Sequence, residues 1–157
     1  IAAIRAALDG NGLERTVLMS YSVKFQSNFY GPFRVAADSA PKAQSALRDR
    51  ASYQLDPARP GDAWLCAERD AAEGADILMV KPALPYLDLL RELSRQFPQP
   101  WAVYHTSGEF AALEALAAQG LAPRAALHRE ILTAFKRAGA NMIITYGARH
   151  ARELLGL

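Results

Sequence analysis

Two lysines stand at the ends of apolar, strand-like runs: Lys24 in M-S-Y-S-V-K-F (19–25) and Lys81 in I-L-M-V-K-P (77–82). Desolvating an ammonium is expensive, so a lysine at the exit of a buried strand is a poor structural choice. It is a good chemical one. Burial or a second nearby cation lowers the amine pKa and frees the lone pair to attack a carbonyl. A snorkelling stem would account for one such lysine; two at equivalent places point to Schiff-base chemistry.

The elements that must position them recur along the chain. Short, nearly continuous apolar runs occupy 16–21, 75–80, 101–105 and 141–146, the pattern of parallel strands covered on both faces. Helical periodicity fills 62–73, 86–97, 109–119, 123–138 and 148–155. Gly74 and Gly139 sit where the turn from helix to strand needs a left-handed residue. In an α/β protein of this kind the functional end is the C-terminal end of the strands. The four strand exits carry Lys24, Lys81, the run Thr106-Ser107-Gly108-Glu109, and Tyr146. Two amines, a hydroxyl and a phenol would then face one mouth. Ser107 and Tyr146 could hydrogen-bond a carboxylate or ketone oxygen; the plainer roles are a helix N-cap for Ser107 and a rim aromatic for Tyr146. His105, ending an apolar strand, is expected to satisfy a local hydrogen bond in preference to acid/base work.

Residues 26–61 break the rhythm, with little periodicity and punctuation at Gly31-Pro32, Pro41, Pro57 and Pro60. A loop of this length directly after Lys24, carrying Arg34, Arg48, Arg50 and Gln54, reads as a lid within a single domain spanning 1–157. Four βα units make half of a (β/α)8 barrel, which needs about 250 residues; an open doubly wound sheet fits the length better, and composition does not separate the two.

The 157 residues are 51% hydrophobic and 22% charged, with 18 basic and 16 acidic side chains dispersed for a net charge of +2. Neither a nucleic-acid partner nor a membrane span is implied. The opening I-A-A-I-R-A-A-L-D-G reads as an amphipathic helix ended by Gly10, not as a signal peptide. The single cysteine, Cys66, excludes an internal disulfide and fits a reducing cytoplasm; its place on a helix favours packing over reactivity.

These residues carry a resemblance. M-S-Y-S-V-K-F-Q-S-N-F-Y-G-P-F-R (19–34) resembles the signature segment of the porphobilinogen synthase, or 5-aminolevulinate dehydratase, family. D-R-A-S-Y-Q (49–54), E-G-A-D-I-L-M-V-K-P-A-L-P-Y-L-D (73–88), S-G-E-F (107–110) and I-I-T-Y (143–146) resemble further segments of it, in order and nearly end to end. The resemblance implies a (β/α)8 TIM barrel, of which this chain supplies about the last four units. It also implies condensation of two 5-aminolevulinate molecules to porphobilinogen in tetrapyrrole biosynthesis. Lys81 then matches the Schiff-base lysine for the substrate supplying the propionate side, and Lys24 the second active-site lysine. Ser107 and Tyr146 match the groups holding the first carboxylate; Arg34, Arg50 and Gln54 match those gripping the second. Guanidinium forks suit that task.

Glu73 matches a position associated with an allosteric magnesium at a subunit interface. The resemblance further implies a homo-octamer and an active-site zinc or magnesium whose ligands lie outside this chain. Three positions depart from the family. Val35 replaces an acid, Ala83 a common glycine, and Gly147 an aromatic, which is expected to loosen packing beside Tyr146. The alternatives are another class I aldolase-type barrel, which would not explain the lysine pair and the arginine-bearing lid, or an inactive half-barrel that associates with a complementary chain.

Overall fold

The computed structural model describes residues 1–37 and 52–157. Its centre is a parallel four-stranded sheet in the order β1 (Met19–Lys24), β2 (Ile77–Lys81), β3 (Trp101–His105), β4 (Met142–Thr145). The helices are α1 (Ala2–Asp9), α2 (Gly31–Ala36), α3 (Pro60–Ala72), α4 (Leu87–Gln96), α5 (Ser107–Ala118), α6 (Arg124–Ala138) and α7 (Ala151–Leu155). Neighbours in the sheet are neighbours in sequence, with no reversal. That is the order of a barrel arc; a doubly wound sheet reverses at a switch point.

Period-two alternation divides the sheet into two faces. Leu78, Val80, Trp101 and Val103 point to the helices, where they form one core with Ala63 and Ala67 of α3, Leu89, Leu90 and Leu93 of α4, and Phe135 of α6. Each large side chain buried there contributes about 1.5–3 kcal/mol. The other face carries Tyr21, Lys24, Met79, Lys81, Ala102, Tyr104 and Ile144. Its middle is buried and its margins are open: Tyr21 is 47% exposed, and every residue of β4 is half-buried. Gly139 enters β4 with φ +121°, and a Cβ there would lie 2.2 Å from Ser94 Oγ. Gly74, before β2, has φ +91°. Both glycines fill the left-handed role expected of them.

The first strand differs from the expected 16–21. It starts at Met19 and includes Lys24, so that lysine ends the strand and does not follow it. The two serines that break its apolar pattern are tolerated because each has a partner. Ser20 donates its hydroxyl to Asp70 on α3, and Ser22 Oγ accepts from Met79 N–H at 3.3 Å. Between Ser20↔Leu78 and Val23↔Val80, β1 takes three steps against two on β2. This extra residue is a bulge. Beyond it Lys24 stands directly opposite Lys81; without it Val23 would take that place and Lys24 would face the other way.

Residues 26–61 are not irregular throughout, as their composition suggested. Ser27 Oγ accepts from Phe29 N–H and caps a turn of 3-10 helix at Asn28–Tyr30, and α2 follows with Pro32 in its first turn, where proline is at home. Pro60 likewise opens α3. Arg48 and Arg50 lie outside the described residues. Gly10 ends α1, as expected, at φ −64°; the left-handed residue just beyond it is Gly12, at φ +72°.

Candidate active site

Lys81 and Lys24 are half-buried at the strand exits, side by side on the face away from the helices. Lys81 Nζ lies 3.6 Å from the centre of the Tyr104 ring, 5.1 Å from that of Tyr21 and 5.7 Å from that of Tyr30. Lys24 Nζ is 5.8 Å from the Tyr21 ring. Ring faces attract cations, so the box would hold an ammonium or an iminium at Lys81 while keeping bulk water off it. The sequence reading did not single out these three tyrosines. The signal was present for two of them, since alternation from Lys24 and from the β3 register places Tyr21 and Tyr104 on the lysine face.

Tyr30 is tied down by its hydroxyl, which donates to the Phe25 carbonyl at 2.8 Å and lies 3.1 Å from that of Lys81. Burial pushes its phenol well above the ordinary value, so it stays protonated. Tyr146 follows β4, 41% exposed, with its ring 6.3 Å from that of Phe110. Its phenol is also raised, by burial first, then by the charge of and a hydrogen bond with Tyr104. Ser107 is not the cap of α5, because Thr106 takes that position. Ser107 Oγ instead accepts from Phe33 N–H at 3.0 Å, which fastens α2 to the start of α5. One cavity of about 40 Å³ is lined by Lys81, Tyr104, Ser107 and Tyr146 among others, so three of the residues expected at the site, Lys81, Ser107 and Tyr146, are brought together.

The lid residues are placed in part. Arg34 on α2 holds its guanidinium 5.6 Å over the Tyr30 ring. Gln54 is buried, and neither amide atom has a hydrogen-bond partner among the described residues. It is carried to the site by backbone pairing: Leu55 N–H donates to the Lys24 carbonyl and Gln26 N–H to the Leu55 carbonyl. Gly108 explains how the base of the lid packs so closely. A Cβ there would lie 2.5 Å from the Phe29 carbonyl oxygen and 2.7 Å from its Cα, so only glycine fits.

His105 belongs to the helix face. Its Nδ1 pairs with Thr145 Oγ1 at 3.0 Å, as its position suggested, and burial lowers its pKa to about 4. His128, also buried, meets Glu114 at 2.7 Å. Cys66 is half-buried on α3. Val35 is 85% exposed. Gly147 opens no gap, since a Cβ would already sit 3.0 Å from Leu154 Cδ1 and 3.2 Å from Phe110 Cε2; those two side chains fill the space an aromatic would take.

Glu73 accepts from the Ile1 amine and from Ala2 N–H, the latter contact doing most to lower its pKa. Among the described residues no group of three histidine, cysteine or carboxylate ligands comes together, at Glu73 or elsewhere. At Glu73 the described residues supply a single carboxylate, which would leave a magnesium ion largely hydrated. Among the described residues no helix is long and apolar enough to cross a membrane.

A sequence model described as Delta-aminolevulinic acid dehydratase matches residues 1–154. The delta-aminolevulinic acid dehydratase of Bacillus subtilis is 44% identical over 155 residues, covering 99% of this chain and 47% of that protein. A relative named chloroplastic, from Chlamydomonas reinhardtii, is 47% identical over 159 residues, covering 99% and 41%. The crystal structure of the Toxoplasma gondii enzyme with its reaction product porphobilinogen superposes with a TM-score of 0.91 at 44% identity, covering 97% of this chain and 42% of that one. This chain spans less than half the length of these relatives. It belongs to the delta-aminolevulinic acid dehydratase family.

Proposed function

We propose that this chain is the C-terminal half of the (β/α)8 barrel of a porphobilinogen synthase, and that it supplies both lysines on which two 5-aminolevulinate molecules condense with loss of two waters. The observation that carries the reading is Lys24 set opposite Lys81 at the strand exits, beneath the tyrosine box. The Lys81 amine adds to the ketone of the substrate that provides the propionate side and expels water. The resulting iminium makes the former ketone carbon electrophilic, and that carbon accepts the new carbon–carbon bond from the carbon beside the second substrate's ketone. The attacking carbon gives up a proton because imine formation at Lys24 withdraws electrons from it. The first substrate's amine then displaces Lys24 to close the ring, and Lys81 leaves as the pyrrole forms. Ser107 and Tyr146 hold the first substrate's carboxylate beside Lys81. Lys24 engages the ketone of the second substrate, whose carboxylate is gripped by Arg34, Arg50 and Gln54. The amide of Gln54, which has no hydrogen-bond partner among the described residues, supports this, because buried polar groups in proteins are nearly always paired.

The parallel arc with open margins supports the half-barrel reading, and completion by an N-terminal half would cover Tyr21 and β4. An active-site metal, the allosteric magnesium at Glu73, the octamer and a cytoplasmic setting belong to this proposal only as family properties; one relative is chloroplastic. The test is reduction with borohydride in the presence of 5-aminolevulinate, in a full-length fusion with the N-terminal half of the Bacillus subtilis relative. Peptide mass spectrometry should find the adduct on Lys81. Adducts confined to other residues would refute the assignment.

A further inference from the structure

Glu109 is buried, 1% exposed, with a carboxylate saturated by four donors. Oε2 accepts from Thr106 N–H and Thr106 Oγ1–H, at 2.5 and 2.7 Å. Oε1 accepts from Ala83 N–H and Leu84 N–H, at 3.0 and 2.5 Å. The first pair is a capping box, a common way to start a helix. The second is not, because Ala83 and Leu84 belong to the turn that leaves β2 immediately after Lys81, on a different strand. That turn has no side-chain cap of its own. One carboxylate thus joins the backbone carrying Lys81 to the backbone carrying Ser107. A carboxylate is the group this place demands: it presents about four lone-pair sites and no proton of its own, and three of its four partners are backbone N–H groups that cannot reverse.

Resting on the reading of Lys81 and Ser107 given above, we propose that Glu109 is a positioning residue that fixes the spacing between the imine-forming amine and the hydroxyl that receives the same substrate's carboxylate. Its effect is selectivity. A keto acid reaches Lys81 faster than a plain ketone only if the carboxylate site stands at the right distance. E109Q keeps the size and replaces one accepting oxygen with an NH2 that confronts two donors, so the two turns are no longer held to one another.

The experiment uses the full-length fusion and compares trapping of levulinate with trapping of butanone, a ketone without the carboxylate. In each case the amine and ketone lose water to form the imine, and borohydride supplies the hydride that reduces it to a stable secondary amine on Lys81. In the unaltered protein levulinate should be trapped faster. In E109Q the levulinate-to-butanone ratio should fall by about tenfold or more, the scale of one charge-assisted hydrogen bond. A purely structural role would lower thermal stability and leave the ratio in the folded protein unchanged, and that result would overturn the proposal. If E109Q does not fold, T106V decides: it removes one donor of four, and a ratio lowered severalfold supports the proposal while an unchanged ratio overturns it. Absence of any Lys81 adduct in the unaltered protein is the distinct outcome that defeats the functional reading, and this one with it.

Discussion

Lys81 leaves its strand into a turn whose amides are held by Glu109, and Ser107 stands on the other side of the same carboxylate. Lys24 leaves its strand into a segment held by backbone pairing with Leu55 and by the seating of Phe29 on Gly108. One side is fastened by a buried charge with four bonds, the other by neutral bonds and close packing. Charge-assisted bonds are roughly twice as strong as neutral ones. The difference can be set beside the roles proposed above: Lys81 and Ser107 would serve one substrate from the charge-fastened side, and Lys24, Arg34 and Gln54 the other from the side held by neutral bonds and packing.

The sharpest break in the comparison is removal of each lysine in the full-length fusion. Lys81→Ala should abolish both the borohydride adduct and porphobilinogen formation. Lys24→Ala should leave the adduct on Lys81 while product formation, followed by colour assay, is lost. If Lys24→Ala also prevented the adduct, the two sides would not be separable.

Gly108→Ala attacks the seating of the lid. Its new methyl group meets backbone, not a flexible side-chain end, so the cost should approach the upper part of the ~1–3 kcal/mol seen for overpacked sites. Thermal denaturation checks the stability, and a rise in half-saturating 5-aminolevulinate with trapping at Lys81 maintained would place the damage on the lid side. Arg34→Ala should act more gently there, raising the half-saturating concentration about tenfold with turnover at saturation preserved. A fall in saturated turnover alone would assign Arg34 to the transition state.

The firm side also contains an effect that shows only as pH falls. His105, at the end of β3, keeps its imidazole neutral in the fold down to about pH 4, against 6.5 ordinarily. Above that ordinary value both folded and unfolded forms are neutral and the residue contributes no pH dependence. As pH falls from 6.5 toward 4 the unfolded form binds a proton that the folded form refuses, so stability declines, by at most about 1.4 kcal/mol per pH unit. Denaturant titrations of the wild type and His105→Gln should show a shallower decline in the variant over that window.

Much of this was legible in the sequence, for reasons that differ by element. Continuous apolar runs located β2 and β3 to within a few residues because the middle of each is buried on both faces, which leaves little freedom in composition; β4, half-buried throughout, was located by the same kind of run. Gly74 and Gly139 marked the turns because left-handed backbone excludes other residues. Both lysines were legible for the opposite reason, as cations where burial disfavours them. The bulge in β1 was not, since it shows only in pairing with β2, 50 or more residues away. The helix α2 was hidden by Gly31-Pro32, which reads as a breaker and in fact serves as a helix start. Glu109 marks only the start of a helical stretch in the sequence, because half of its partners lie in another turn, out of reach of any local pattern. The tyrosine box needed both the alternation of two strands and the register between them.

The bulge between Ser20 and Val23 has a bearing on how this stretch tolerates change. Letters can be exchanged there at modest cost: Ser22→Ala, for instance, forfeits only the hydroxyl that serves Met79. Length cannot be exchanged in the same way. Removing one residue there would even the ladder and leave Lys24 opposite Lys81, but adding one, with the bulge still absorbing a single residue, would bring Val23 opposite Lys81 and turn Lys24 toward the helices. The meeting of the two amines is therefore encoded by a count of residues, and a protein with every proposed functional side chain intact could lose the proposed reaction through a single residue inserted between Ser20 and Val23.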